Sequence, residues 1–507
     1  MKNLKSFAAG ILTAAAAFSA NSATAQTAEY KQITNLPTVY IDTEDYVSIT
    51  SKETYVRATL RYVDKDGTTV YDALGIRGRG NSTWGLDKKP YRIKFDKKQS
   101  FLGKDRAKAK SWTMLANHTD KTLMRNALAS YIGTLAGQPF TAAAQFVDVV
   151  LNGKLIGNYQ ISDQMEIREK RIDILEQEDP ATAESNITGG YLLEVDGFAS
   201  SEPVYFRTSK GVTITIKSPD DDIINDAQIK YIQNHIQKFE TALFSSDFKD
   251  PEKGYRRYVD AETLVSWYVA SEITGNPDMF WSTYIYKKHD DDKIYWGPMW
   301  DYDIAFNNCY RKGDLSRKVM FRDGFAQDLT ALWINRMWQD PWFVALVDAK
   351  WKELKAMDFE SLMLDFVDET AALLEQSQKL NFDMWPIATR VYDEYRLFGT
   401  YKEGVDFLKD YLRTHNAYLE SVISRQVTAL DAIGADGSAA VLGYDREAGC
   451  ITVAGAQEGT VEIYNMAGAV VMRSALKAEV GVSVLPAGVY VARCTTPRGI
   501  VTLKFVR

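Results

Sequence analysis

Gly275-Asn276-Pro277-Asp278-Met279-Phe280-Trp281-Ser282-Thr283-Tyr284-Ile285-Tyr286 and, one hairpin later, Gly297-Pro298-Met299-Trp300-Asp301-Tyr302-Asp303-Ile304-Ala305-Phe306 set a helix end, a hairpin and three carboxylates side by side. Ahead of them Asp260 is a good N-cap for a helix over 261–274, in which Leu264, Trp267, Tyr268 and Ile273 share an apolar face, and Gly275 is a natural residue to end it. Residues 282–287 alternate as a strand, 289–293 form a polar turn, and 294–296 return as the partner strand. Asp278 before this hairpin and Asp301 and Asp303 after it can therefore converge at its open end. Hard oxygen ligands so placed suit Mg²⁺ or Mn²⁺. A single Asp near a turn is more often a solvated turn former. Here, however, Asp301 and Asp303 are flanked by Trp296, Trp300, Tyr302, Ile304 and Phe306, a setting in which a carboxylate needs a partner or an ion.

Upstream, Gly75-Ile76-Arg77-Gly78-Arg79-Gly80-Asn81-Ser82-Thr83-Trp84 offers glycines that let backbone N–H groups approach a phosphate, with Arg77, Arg79 and Asn81 as further donors. A strand over 90–95 follows. Lys94 lies in it and Lys89 just before it, and because Pro90 can start or bend the strand, alternation leaves open which lysine points inward.

The segments GPMWDYDIAF (297–306), GIRGRGNSTW (75–84), KKPYRIKF (88–95) and TGGYLLEVD (188–196), with the pair Arg125-Asn126, resemble the CotH-type, spore-coat kinase-like family over about residues 75–310. The resemblance implies an α+β fold: an atypical two-lobed protein-kinase-like core with a β-rich N-lobe over 26–165 and a mixed, helical C-lobe over 166–432. It also implies ATP- and Mg²⁺-dependent phosphoryl transfer to a protein Ser/Thr. Asp278 would orient the acceptor hydroxyl, Asp301 would hold the metal, and Asp303 would support it. The phosphates would fall to Arg77, Gly78, Arg79, Gly80, Asn81 and Ser82 together with Lys94 or Lys89. Asp163 stands where the family has Glu. Thr283 stands where a kinase catalytic loop has Asn, and a neutral hydroxyl is a poor metal ligand, which puts a second metal in doubt.

The 507 residues, 46% hydrophobic, can bury substantial cores, and that length suggests about two to four domains. The formal net charge is −7, yet residues 75–125 hold fourteen Lys/Arg against four Asp, an asymmetry that suits an anionic ligand. Lys2 and Lys5, the apolar run 7–18 and Ala23-Thr24-Ala25 read as a secretory signal peptide over 1–25, so the mature chain is expected outside the cytoplasm: periplasmic, surface-attached or secreted. No later stretch reaches the roughly 18 apolar residues of a membrane helix, and no nucleic-acid partner is expected. Three cysteines permit at most one disulfide, with Cys450 and Cys494 as the favoured pair. Four scattered histidines give a zinc site or a Ser-His-Asp triad little to draw on.

From 433 onward the composition turns small, Gly- and Val-rich and alternating, which predicts an all-β sandwich over 433–507. Its VEIYNMAGAVV, LPAGVYVAR and terminal LKFVR resemble the C-terminal sorting domains of secreted Bacteroidetes proteins. Two rival functions stand beside the kinase. One is a catalytically silent surface protein that recognises glycan or protein through the same cleft. The other is a metal-dependent hydrolase built on Asp301 and Asp303.

Overall fold

The computed structural model describes residues 30–507 apart from 104–105, 178–184, 325–330, 435–440, 446–447, 455–457, 466–469 and 497–498; the expected signal peptide lies outside the described residues. Strands β1 (Thr38–Thr43), β2 (Val56–Asp64), β3 (Gly67–Gly78), β4 (Tyr91–Gln99) and β5 (Ala109–Leu115) are followed, after helix α1 (Arg125–Leu135), by β6 (Gln145–Leu151) and β7 (Lys154–Asp163). Alternating strands such as β4, joined to strands such as β6 and β7 that are buried on both faces, build this first body. The seven close into a barrel in the order β1-β2-β3-β4-β5-β7-β6. Neighbours are antiparallel except at the seam, where Thr38 of β1 pairs in parallel with Asp148 of β6. Ile76, Ile93, Phe95, Trp112, Met114 and Ile161 fill the interior. Asn152 and Gly153 turn β6 into β7, both with positive φ as a tight hairpin turn requires.

The second body is an antiparallel sheet with helices packed on it. Its strands are β8 (Tyr191–Asp196), β9 (Tyr205–Arg207), β10 (Thr213–Ser218), β11 (Ser282–Lys287) and β12 (Ile294–Trp296), in the order β12-β11-β8-β10-β9. Helix α2 (Asp226–Leu243) starts on a reciprocal Asn225–Gln228 capping box. Helix α3 (Ala261–Thr274) is the one expected at 261–274, and its residues from Thr263 to Thr274 are all buried, which makes it the central core helix. The chain continues through α4 (Phe321–Gly324), α5 (Ala331–Met337), α6 (Pro341–Ala356), α7 (Phe359–Leu373), α8 (Glu375–Met384) and α9 (Tyr401–Gly434), of which α6 and α9 pack directly on α3. Helix α1 begins only at Arg125, although its capping carboxylate is Asp120, five residues earlier. The Asp120 carboxylate accepts from the backbone N–H groups of Thr122 and Arg125, both at 2.8 Å, which holds 120–124 as a loop.

Helix α8 docks on the barrel through buried polar contacts. The Lys88 ammonium donates to the Ala116 carbonyl at 2.7 Å and to Asn381 Oδ1 at 2.8 Å, and Asn158 donates to the Ser377 hydroxyl at 2.9 Å. Beyond α9 come β13 (Val441–Asp445), β14 (Cys450–Ala454), β15 (Thr460–Asn465), β16 (Val470–Ala475), β17 (Glu479–Gly481), β18 (Val489–Thr496) and β19 (Gly499–Val506), in the sheets β13-β14-β17 and β16-β15-β18-β19 around one apolar core. This is the expected all-β region. The expected disulfide is absent: Cys450 and Cys494 lie in different sheets, and both are buried free thiols, as is Cys309. Among the described residues no helix is long and apolar enough to cross a membrane.

Candidate active site

The end of α3 fixes the first carboxylate. Asp260 accepts from the Thr263 N–H at 2.9 Å to start the helix. Gly275 ends it at φ 56°, where a Cβ would fall 2.1 Å from the Tyr411 hydroxyl, so only glycine fits. The next side chain ties two loops together: Asn276 Oδ1 accepts from the Asp278 N–H at 3.0 Å, and its Nδ2 donates to the Asp301 carbonyl at 3.1 Å. Asp278 Oδ1 is ion-paired with Arg311 at 2.7 Å.

Asp301 has φ 67°, a left-handed conformation that Asp and Asn tolerate better than other side chains. Neighbours impose it. The Tyr302 N–H donates to Asn126 Oδ1 at 2.8 Å, and the Tyr302 hydroxyl meets that of Ser271 at 2.9 Å. The Asp301 side chain opens into a crevice between its loop, α1 and the outer faces of β5 and β7, lined by Leu115, Asn126, Gln160, Ser162 and Met299. Asp303 is half-buried and accepts from the Thr119 hydroxyl at 2.6 Å. Asn308 donates to the Asp303 carbonyl at 2.7 Å and to the Thr119 carbonyl at 3.1 Å, which binds this loop to the 116–124 segment.

The charges here oppose one another. The cleft surrounds the water-accessible Asp301 carboxyl with protein and pushes it well above the usual carboxylate range, Asp303 adds to the rise, and Arg79 works against it. Burial also raises Asp303, against the Thr119 hydrogen bond. Glu194 of β8 is raised by burial, opposed first by Lys217 at 3.1 Å, and its carboxylate also accepts from Ser282 at 2.6 Å. Arg79 is pulled down by burial, with Asp301 as the leading opposing influence. Among the described residues Arg79 forms no ion pair; its guanidinium lies 5.1 Å over the Trp300 ring.

The remaining residues singled out from the sequence divide clearly. Arg77 is turned to its own surroundings: it donates to the Lys52 carbonyl, pairs with Glu53 at 3.3 Å and lies 4.9 Å over Tyr55. The glycines serve packing and turning. A Cβ on Gly78 would fall 2.3 Å from the Trp84 ring, and Gly80 has φ 85°. Asn81 and Ser82 are exposed at the loop tip, where Ser82 comes up to the Tyr392 hydroxyl. Lys89 donates to the Trp84 carbonyl at 2.8 Å. Lys94 is exposed on the outside of β4, 5.8 Å over Tyr55. The inward position between the two lysines falls to Ile93, and Arg92, on the outer face, is the β4 cation that acts on Arg79. Asp163 is buried and accepts from Arg171 at 2.8 Å and from the Ala143 N–H at 2.9 Å. Thr283 is turned into the core, where its hydroxyl donates to the Met279 carbonyl.

Sequence reasoning assigned no role to Arg92, Thr119, Asn126, Asn276, Glu194 or Arg311. For Asn276 and Asn126 the signal was a polar residue beside an apolar helix end; for Glu194 it was a carboxylate within a strand otherwise apolar up to its end. Among the described residues no three His, Cys, Asp or Glu side chains are grouped as a protein-only metal cage. The donor set nevertheless fits Mg²⁺, which is commonly held by one or two carboxylates together with substrate phosphates. Asp301 and Asp303 are the residues that would hold it.

No curated protein matches the chain. A family model described as CotH kinase protein matches residues 76–419, more than half of the chain and a span that includes Arg79, Asp278, Asp301 and Asp303. The chain belongs to the CotH kinase family.

Proposed function

We propose that this is an exported kinase with a two-lobed, protein-kinase-like core, transferring a phosphoryl group from Mg-ATP to a protein Ser/Thr. The observation that carries the reading is Arg79, a cation without an ion-pair partner among the described residues, stacked on Trp300 in the field of Asp301 and Asp303. A cation without an ion-pair partner close to two carboxylates offers charges that match a phosphate chain and a divalent ion. Magnesium would neutralise charge on the phosphates. Arg79 binds and orients the phosphates, Asp301 and Asp303 hold their position through Asn126, Asn276 and Thr119, and Asp278 receives the acceptor proton. The turned-in Thr283 hydroxyl favours a single metal position.

That same Thr283, with Asp278 already paired to Arg311, is what favours the silent-binding alternative. The two readings separate on one measurement. Mg-ATP raises the melting temperature of the kinase and leaves that of the silent binder unchanged, because only a ligand of the native state stabilises it. Export belongs to the same proposal, with 433–507 as a separable sorting module: mature protein recovered outside the cytoplasm should start near Gln26, and an intact Met1 terminus would overturn it.

A further inference from the structure

We infer that Arg311 is a positioning residue for the transfer, fixing which oxygen of Asp278 meets the acceptor; the inference rests on the phosphoryl-transfer reading. Arg311 is held at two points. One terminal nitrogen donates to Asp278 Oδ1 at 2.7 Å, and Nε donates to the sulfur of buried Cys309 at 3.2 Å. A guanidinium is planar, so two such contacts fix its plane as well as its position. Burial lowers the Arg311 pKa, but Asp278 and the Cys309 sulfur outweigh it and the net shift is upward, so the side chain stays charged.

The loop behind it is equally constrained. The Tyr310 N–H donates to the Asp393 carbonyl at 3.0 Å. Asn308 is bound to the carbonyls of Asp303 and Thr119. Arg311 therefore hangs from the same loop as Asp301 and Asp303 and reaches across to Asp278, so the position of the acceptor-side carboxylate is tied to that of the metal-side ones.

Among the described residues nothing donates to Asp278 Oδ2, and the Asp278 side chain is 37% exposed. With Oδ1 taken by Arg311, Oδ2 is the oxygen left for an incoming hydroxyl. In the transfer the acceptor O–H gives its proton to Oδ2 while its oxygen bonds to the γ-phosphorus. The bond from that phosphorus to the β–γ bridging oxygen breaks, and the electron pair leaves on ADP. Arg311 stays on Oδ1 throughout, balancing the carboxylate charge without accepting a proton.

The test uses the full chain as wild type, Arg311→Ala, Arg311→Lys, Asp278→Asn and the double variant Asp278→Asn/Arg311→Ala. The readouts are the Mg-ATP-dependent shift in melting temperature, phosphate release with water as acceptor, and autophosphorylation. Arg311→Ala should keep the wild-type Mg-ATP shift and a KM for ATP within about twofold, while turnover falls at least about tenfold. Added guanidinium should partly restore it, and Arg311→Lys should fall between the two. The double variant should be no slower than Asp278→Asn alone, because Arg311 acts through Asp278. Unchanged turnover, losses that multiply in the double variant, or a lost Mg-ATP shift in both Arg311 variants would each overturn the inference. Wild-type protein that shows the shift but transfers to neither acceptor overturns it too, leaving nucleotide binding intact. Wild-type protein with no shift removes the phosphoryl-transfer reading itself, and the inference with it.

Discussion

Arg79 and Asp301 act on each other's titration, yet the guanidinium lies on Trp300 at 5.1 Å and forms no ion pair among the described residues. Stacking on an indole face orients the cation while leaving its donors for an anion. Replacing Arg79 by Met should weaken Mg-ATP binding by about 10- to 100-fold, roughly 1.4–2.8 kcal/mol. Lys94→Met should leave the affinity unchanged, since that ammonium is exposed on the outside of β4. Titration calorimetry on the two variants decides between them, and equal losses would reject Arg79 as the specific contact.

Asp301→Asn keeps the shape and suits the left-handed backbone, but removes the charge expected to hold the ion. Phosphoryl transfer should fall by roughly 10²-fold or more. The stability of the nucleotide-free protein should stay level or rise. The sign follows from the raised carboxyl pKa: between the unfolded and folded pKa values the native state binds more protons, so ionising Asp301 costs stability as pH increases. The advantage of the Asn variant should therefore grow from acid to alkaline pH. Unfolding curves with and without Mg-ATP test both halves. A variant that still gains the full wild-type Mg-ATP stabilisation removes Asp301 from the metal site.

His415 gives the fold an acid limit. Burial lowers its pKa to about 4, and Nε2 lies 2.7 Å from the Glu272 carbonyl, so the ring is neutral at pH 7. Its folded pKa lies below the unfolded value near 6.5, so the unfolded chain binds more protons in that window and stability rises with pH across it. Acidification from about pH 6.5 to 4 should cost on the order of 2–3 kcal/mol through this residue. His415→Gln should flatten that part of the urea-unfolding profile; an unchanged slope would assign the acid sensitivity to other groups.

Two glycines flanking the loop after β3 should respond differently to the same substitution. At Gly78 a Cβ meets the Trp84 ring at 2.3 Å, whereas at Gly85 nothing lies within 4 Å. Gly78→Ala should destabilise by about 1–3 kcal/mol through overpacking, and Gly85→Ala should stay within about 0.5 kcal/mol of wild type. If Gly78 instead existed for phosphate access, its substitution would lower nucleotide affinity and leave stability unchanged.

The helix over 261–274 could be read directly because its signals are local: an Asp cap, an apolar pattern and a glycine stop. So could the hairpin joining β11 and β12, and with it the neighbourhood of Asp278 and Asp301. The aim of the cations could not. Residues 92 and 94 share a face by alternation, but which face is inside depends on Ile93 and Phe95 entering a barrel whose closure depends on pairing across the chain. Thr283 is a similar case. Alternation sets it opposite Ser282 and Tyr284, yet only the pairing of β11 with β8 shows that its side points into the core. Arg311 and Cys309 stayed silent because they follow the hairpin in irregular backbone, where no period applies.

The parallel seam of the barrel sets an order of events in folding. Strands β2 to β5 can form from neighbours in sequence, but β1 finds its second partner only in β6, where Thr38 meets Asp148 more than a hundred residues later. Pairings of such long separation are slow, because loop-closure entropy is lost before their contacts form. A nascent chain therefore carries an unfinished barrel with two exposed strand edges until β6 and β7 have been made. Mutations that weaken the β1–β6 seam should slow folding and promote strand-to-strand aggregation well before they alter the cleft.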